Sequence, residues 1–372
     1  MTLRNASLVL GLAGLAACSS DPSDNGTDAS SSSTSATTAT DTSATTMSTT
    51  QGSSDESTTT APSTTMVDTT SADSSSSADT SGSESTTDTS GFDCTMVPPA
   101  PFVAERILDE VPFQTFAEGG AEDLGFDGLG HLAARGVGGA YLLVAADGTY
   151  EEVTTDGDPT YGLRFLANGD LVAAAYQASD ILRITPDGDV SDFATGLGGV
   201  NGLFPDSMGG VWYTNFQLVG YITAQGNQIS VITPASGANG IWFDEVRQIV
   251  FFTNYGSGAL RKADLIDGVA QPAVDVGSIP GSPDGITFDV CGNLYVNDQE
   301  NSDMYRLFLD AAAEPLGEPE LLVEGGFPTN VANAQFGSGD GWEPDSLYAI
   351  GGGGALYRVD VGVPGEAYVT VQ

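Results

Sequence analysis

Six polar residues recur along this chain at nearly even intervals: Glu122, Tyr161, Asn201, Asn239, Asp284 and Asn330, with steps of 39, 40, 38, 45 and 46 residues. Each opens a short apolar run. Two carboxylates and three amides are hard oxygen donors, the kind that hold Ca²⁺ or Mg²⁺ while leaving positions open for water and substrate. That chemistry requires the six to meet at one place. The competing reading is local: Asn and Asp ahead of Gly are common turn residues, and several of the six stand ahead of a glycine.

The elements that carry them are hairpins. The clearest is Pro283-Asp284-Gly285-Ile286-Thr287-Phe288 followed by Asp289-Val290-Cys291-Gly292-Asn293 and then Leu294-Tyr295-Val296-Asn297-Asp298. An apolar strand, a tight Asp/Gly/Asn turn and a second apolar strand form a hairpin signal. The same pattern follows Glu122, Tyr161, Asn201 and Asn239, and more weakly Asn330. Between hairpins lie third strands such as those in Asp180–Gly188, Gly258–Asp264 and Ala355–Asp360, then fourth strands such as Ile229–Ile232. Six repeats of four short strands, each about 40–50 residues long, predict an all-β six-bladed β-propeller. The strands nearest the axis would bring the six lead residues to one mouth of a central channel. Arg183, Arg261, Arg306 and Arg358 share one phase in the third strands and read as structural charges.

Composition agrees. The 48 glycines and frequent Asp-Gly pairs mark turns, and no stretch has sustained helical periodicity. Residues 93–372 hold 39 acidic and 9 basic residues, so nucleic acid and anionic lipid surfaces are not expected partners. A small molecule is, and the domain reads as a monomer. His131, the only histidine, sits at the turn position that Asn293 holds in blade five. No Ser-His-Asp or Cys-His arrangement is possible with it. It also argues against the histidine-dependent propeller enzymes of the streptogramin-lyase and paraoxonase types. Trp212 and Trp242 alternate as inter-blade core.

Ahead of the propeller, residues 1–18 read as a lipoprotein signal peptide: Arg4, an apolar run from Leu8 to Leu15, then Leu15-Ala16-Ala17-Cys18. This resembles the bacterial lipobox, which makes Cys18 the lipidated first residue; an ordinary signal peptide is the alternative. Ser19-Ser20 lacks the Asp associated with inner-membrane retention. The expectation is an outer-membrane lipoprotein of a bacterial cell envelope, touching membrane only through its anchor. Residues 19–92 read as a disordered Ser/Thr/Asp-rich stalk, with 11 acidic residues and no Lys or Arg. Two cysteines remain, Cys94 and Cys291. One even pair in an exported domain suggests a disulfide, with two free thiols as the alternative.

The repeats, over roughly residues 115–360, resemble the gluconolactonase / senescence-marker-protein / luciferin-regenerating-enzyme-like family of six-bladed propellers. The Pro-Asp-Gly run at 283–286 and Gly292-Asn293-Leu294-Tyr295-Val296 carry the likeness best. The resemblance implies a divalent cation held by Glu122, Asn239 and Asp284, with Ca²⁺ first and Mg²⁺ or Zn²⁺ as alternatives. It places Asn201, Asn330 and Tyr161 near substrate or water, and it makes Asp284 the base of a metal-dependent hydrolase acting on a lactone or similar small ester. The chain departs from the family at Gly199, where a sugar-contacting arginine is usual, and at Gly202, where an Asp often follows the asparagine. A non-catalytic binding or scaffold propeller with a vestigial metal site is the second reading.

Overall fold

The computed structural model describes residues 91–115, 122–155, 158–327 and 330–367. The expected lipobox with Cys18 and the Ser/Thr-rich stretch before residue 91 lie outside them. Apart from short single turns, every element in these residues is a strand. A first strand, β1 (Ala104–Ile107), precedes the repeats. Blade one is β2 (Gly125–Phe126), β3 (His131–Arg135), β4 (Ala140–Ala145) and β5 (Tyr150–Thr155). Blade two is β6 (Thr160–Phe165), β7 (Leu171–Ala175), β8 (Asp180–Ile184) and β9 (Val190–Ala194). Blade three is β10 (Leu203–Pro205), β11 (Val211–Thr214), β12 (Val219–Ile222) and β13 (Gln228–Ile232).

Blade four is β14 (Ala238–Asp244), β15 (Ile249–Asn254) and β16 (Ala259–Ile266), with the short β17 (Val269–Ala270) and then β18 (Val274–Ser278) as the outer strand. Blade five is β19 (Pro283–Phe288), β20 (Leu294–Asp298), β21 (Asp303–Leu307) and β22 (Glu320–Val323). Blade six is β23 (Val331–Phe336), β24 (Ser346–Gly351) and β25 (Leu356–Asp360). Its fourth strand is β1, paired antiparallel with β25 from Ala104↔Val359 to Ile107↔Leu356. The ring is therefore closed by sequence-distant strands sharing one sheet, which leaves no open edge between the first and last repeats.

Sheets stacked face to face around an axis bury both sides of their inner strands. Every residue of β14, β19 and β23 is buried as a result. The aromatics fill the wedges between blades. Trp242 packs on Phe204 of blade three (4.5 Å between ring centroids) and Phe288 of blade five (5.5 Å), and Trp212 on Phe243 (4.7 Å). The four phase-matched arginines are structural, pairing as Arg183–Asp170, Arg261–Asp275, Arg306–Glu320 and Arg358–Glu105. Cys94 and Cys291 form a disulfide that ties the segment before β1 to the β19–β20 turn.

The inner strands touch through one repeated contact. In β14 the register slips between Ala238 and Ile241, so Asn239 and Gly240 form a bulge; β6 and β19 slip at the same place. Thr253 Oγ1 accepts the Gly240 N–H (2.7 Å) and donates to the Asp284 carbonyl of the next blade (2.9 Å). Thr214 does the same between Gly202 N–H (2.9 Å) and the Asn239 carbonyl. That carbonyl lies so close that a methyl at Gly240 would stand 2.1 Å from Asp284 O, and one at Gly202 2.4 Å from Asn239 O. The glycines after the lead residues are thus there for close backbone approach, not for turns. Gly240→Ala should cost about 3 kcal/mol or more, since the backbone it strikes cannot rotate away. Gly317→Ala, with nothing within 4 Å, should stay within about 0.5 kcal/mol. Equal chemical-denaturation midpoints for the two variants would contradict this account.

Candidate functional site

The register identifies the equivalent residue in each blade. Four places before the last inner-strand pair stand Glu122, Tyr161, Asn201 and Asp284, and in blade six Ala332. In blade four, where the pairing runs one residue further, Asn239 stands five places before it, in the same bulge position as Asp284. Asn330 is not in the ring. It lies two residues ahead of the bulge and is exposed. Blade six has a longer β23–β24 loop, in which Trp342 packs on Phe126 (5.2 Å) and donates to the Gly130 carbonyl (3.0 Å). The step into blade six is lengthened before this loop, by the long connection between Leu307 and Glu320 in blade five, so the period does not locate Ala332.

Glu122, Asn201, Asn239 and Asp284 are all buried, while Tyr161 is half-buried. Burial holds the Glu122 carboxyl up at about 8, with the neighbouring Asp123 charge adding to the rise. Burial, then the Glu122 and Asp123 charges, holds Asp284 well above the usual carboxylate range. Asp284 of blade five therefore feels the Glu122 charge of blade one. Tyr161 is raised by burial and then by Glu122; Tyr255 is raised by burial and then by Asp284. These groups share one mouth.

Asp123 is the instructive contrast. It is as buried as its neighbours, but its carboxylate pairs with Arg164 and accepts from Leu163 N (2.9 Å), Leu124 N (2.8 Å) and Asn333 Nδ2 (2.6 Å). Asp123 and Asn333 stand where blades two to five have glycine, and with Arg164 they join blades six, one and two. No such hydrogen bonds or cation offset the rise at Glu122 or Asp284. Beside them in the ring, Asn239 Oδ1 is buried without a hydrogen-bond donor. A buried acceptor left so costs about 1–3 kcal/mol, and two uncompensated carboxylates add to that. All three defects have the same remedy, a positive charge that takes oxygen ligands. The donor set fits Ca²⁺ or Mg²⁺ better than Zn²⁺, which favours nitrogen and sulfur. Among the described residues no three His, Cys, Asp or Glu side chains group closely enough to hold a metal alone, so the amide oxygens would have to contribute.

Around the mouth runs a second ring that the sequence analysis did not single out. Tyr176, Phe216, Tyr255 and Gln299 each directly follow the second strand of their blades or stand one residue further on. Tyr161 and Tyr176 have ring centroids 4.5 Å apart, Tyr176 and Phe216 6.5 Å, and Phe216 and Tyr255 6.3 Å. Tyr255 Oη donates to Gln299 Oε1 (2.7 Å). The signal was present: Tyr176, Phe216 and Gln299 trail their lead residues by 15 positions and Tyr255 by 16. On the opposite face, His131 is half exposed and its Nδ1 lies 2.8 Å from Asp127 Oδ2, as Asn293 Nδ2 lies from Asp289 Oδ2 in blade five.

Neither protein-family profiles nor curated proteins match the chain in sequence. Solved structures do match in fold. A gluconolactonase from Xanthomonas campestris superposes with a TM-score of 0.54 at 18% identity, covering 72% of this chain and 96% of that one. A luciferin-regenerating enzyme gives 0.59 at 17%, covering 73% and 99%. A calcium-binding regucalcin from Agrobacterium tumefaciens gives 0.58 at 15%, covering 73% and 98%. At these identities the likeness establishes the six-bladed fold.

The raised carboxyls set the pH response of the metal-free protein. Glu122 keeps its proton up to about pH 8 when folded but loses it near 4.5 when unfolded. The unfolded state therefore releases the proton first, and stability falls as pH rises between those values and levels off above them. Asp284 contributes in the same sense. Melting temperature in chelator should drop from pH 5 to pH 8, and millimolar Ca²⁺ should remove most of the drop. A melting temperature that rises over this range in chelator would contradict the assignment.

Proposed function

We propose that Glu122, Asn239 and Asp284 hold a divalent cation at the channel mouth, with Asn201 beside it, and that the chain hydrolyses a lactone or similar small ester there. The observation that carries this reading is the uncompensated Glu122–Asp284 pair in one ring with the donorless Asn239 Oδ1. The described fold neighbours support it, two of them being a gluconolactonase and a calcium-binding regucalcin.

A bound cation would polarise the ester carbonyl and make a water more acidic. Asp284 then takes the proton as that water's oxygen adds to the carbonyl carbon. The ring C–O bond breaks, and the proton passes from Asp284 to the departing alkoxide. Asn201 orients the ester, and Tyr161, next to Glu122, borders the space above it. Ala332 offers no donor, so blade six leaves room in the ring.

Asp284→Ala should abolish hydrolysis in a lactone screen and remove the Ca²⁺-dependent rise in melting temperature. Tyr161→Phe should retain the rise and lose less than about tenfold in kcat/KM, since it keeps the ring and removes only a hydroxyl. Ca²⁺ binding without hydrolysis of any lactone or ester would leave a binding module instead. Export is part of the same proposal: a lipid on Cys18 and an acidic stalk would hold the propeller off an outer membrane. Cys18→Ser should move the protein from the membrane to the soluble fraction; unchanged fractionation would remove the anchor.

A further inference from the structure

We propose that the substrate of this site is uncharged and carries an apolar ring or chain beside its ester, which lies against the aromatic arc of Tyr161, Tyr176, Phe216 and Tyr255. The inference takes the hydrolase reading of the same site as its starting point and adds what the mouth selects.

The arc is continuous from blade two to blade four, with neighbouring centroids between 4.5 and 6.5 Å apart, and Tyr255 links it to Gln299 of blade five. All four rings are half-buried, each with one part packed and one part open. Rings with low conformational freedom standing over a polar floor suit a ligand with an apolar body and a polar end. On the blades that complete the circle, the equivalent positions are Val137 and Gly352, which stack nothing. The floor is polar and the wall is one-sided, so the ligand has a defined orientation: ester toward Asp284, apolar part toward blades two to four.

Charge excludes the other class of ligand. A lactone or acid carrying a carboxylate needs a cation of the protein, and each of the nine basic residues after Arg4 is engaged elsewhere. Arg164 pairs with Asp123, and Arg135 lies 4.1 Å over the Tyr141 ring and donates to the Asp158 carbonyl (2.9 Å). Arg106, Arg183, Arg247, Arg261, Lys262, Arg306 and Arg358 hold Asp109, Asp170, Asp244, Asp275, Glu314, Glu320 and Glu105. Blade three cannot supply one at Gly199 either. That residue has φ +43°, and a Cβ there would stand 3.2 Å from the Tyr176 ring. The Tyr176 ring fills the space that a side chain at 199 would need. A divalent cation would offset the two charges of ionised Glu122 and Asp284, and Asp123 is already paired with Arg164, so the loaded mouth has no surplus positive charge for an anion.

The test uses three lactams, which resist hydrolysis and so report binding whether or not the chain is an enzyme: 5-phenylpyrrolidin-2-one, pyrrolidin-2-one and pyroglutamate. They differ only in phenyl, hydrogen or carboxylate at one carbon. Calorimetry on the Ca²⁺-loaded protein should show the phenyl compound binding about tenfold more tightly than the parent, and pyroglutamate binding most weakly. Tyr176→Ala and Phe216→Ala should each reduce the phenyl preference at least about threefold while leaving Ca²⁺ affinity unchanged, and Tyr176→Phe should keep it. Pyroglutamate binding as well as the phenyl compound, a phenyl preference that survives both alanine variants, or no binding of any of the three would overturn the proposal. Hydrolysis of the matching phenyl lactone is read separately. If it is absent while the lactam preference holds, the hydrolase reading fails and the selectivity of the mouth stands.

Discussion

The contact between a lead carbonyl and the glycine of the preceding blade governs this molecule. It brings Asp284 O within reach of Thr253 and leaves no room for a side chain at Gly240. The bulge that makes the approach possible also turns the lead residue out of the regular ladder. One feature therefore does two things: it fixes the spacing of the inner strands and places one side chain per blade at the channel mouth. Where blades six, one and two meet, the glycine is replaced by Asn333 and Asp123, and a buried Arg164 takes over the joining role. The ring is closed twice, on the outside by β1 on β25 and on the inside by this polar cluster.

Charge is divided unevenly as a consequence. The cations of the propeller are committed to structural partners in the strands and blade joints. Glu122 and Asp284 at the mouth have none; burial raises both, the Asp123 charge adds to each, and the Glu122 charge adds at Asp284. A fold of marginal stability does not keep such a cluster without compensation elsewhere. The strain falls where a ligand can relieve it, which is the usual relation between electrostatic frustration and function.

The repeat was legible because a propeller repeats its inner hairpin in sequence, and the lead residues of blades one to five could be placed from that period alone. Asn330 could not. The long connection from Leu307 to Glu320 in blade five stretches the step into blade six, and a period has no means of locating a bulge beyond such a stretch. The closing strand Ala104–Ile107 was equally hidden, since four residues of which none is buried give no pattern and their partner is more than 200 positions away. Cys94 and Cys291 were readable as an even pair, while the pairing itself needed their approach in space. The meaning of the glycines after Asn201, Asn239 and Asp284 was readable only as a choice between turn and site. Gly202 and Gly240 serve backbone contact between blades, and Gly285 makes room for the Asn333 side chain.

The central claim is that Glu122 and Asp284 are raised carboxyls awaiting a cation. Calorimetric titration with Ca²⁺ near pH 7, repeated in buffers of different ionisation enthalpy, counts the protons released on binding. The account predicts binding at one site with protons released from the Glu122–Asp284 pair, and a smaller release in Glu122→Gln, where only Asp284 is left to give one up. Binding with no proton released, or no binding at millimolar Ca²⁺ or Mg²⁺, would contradict it.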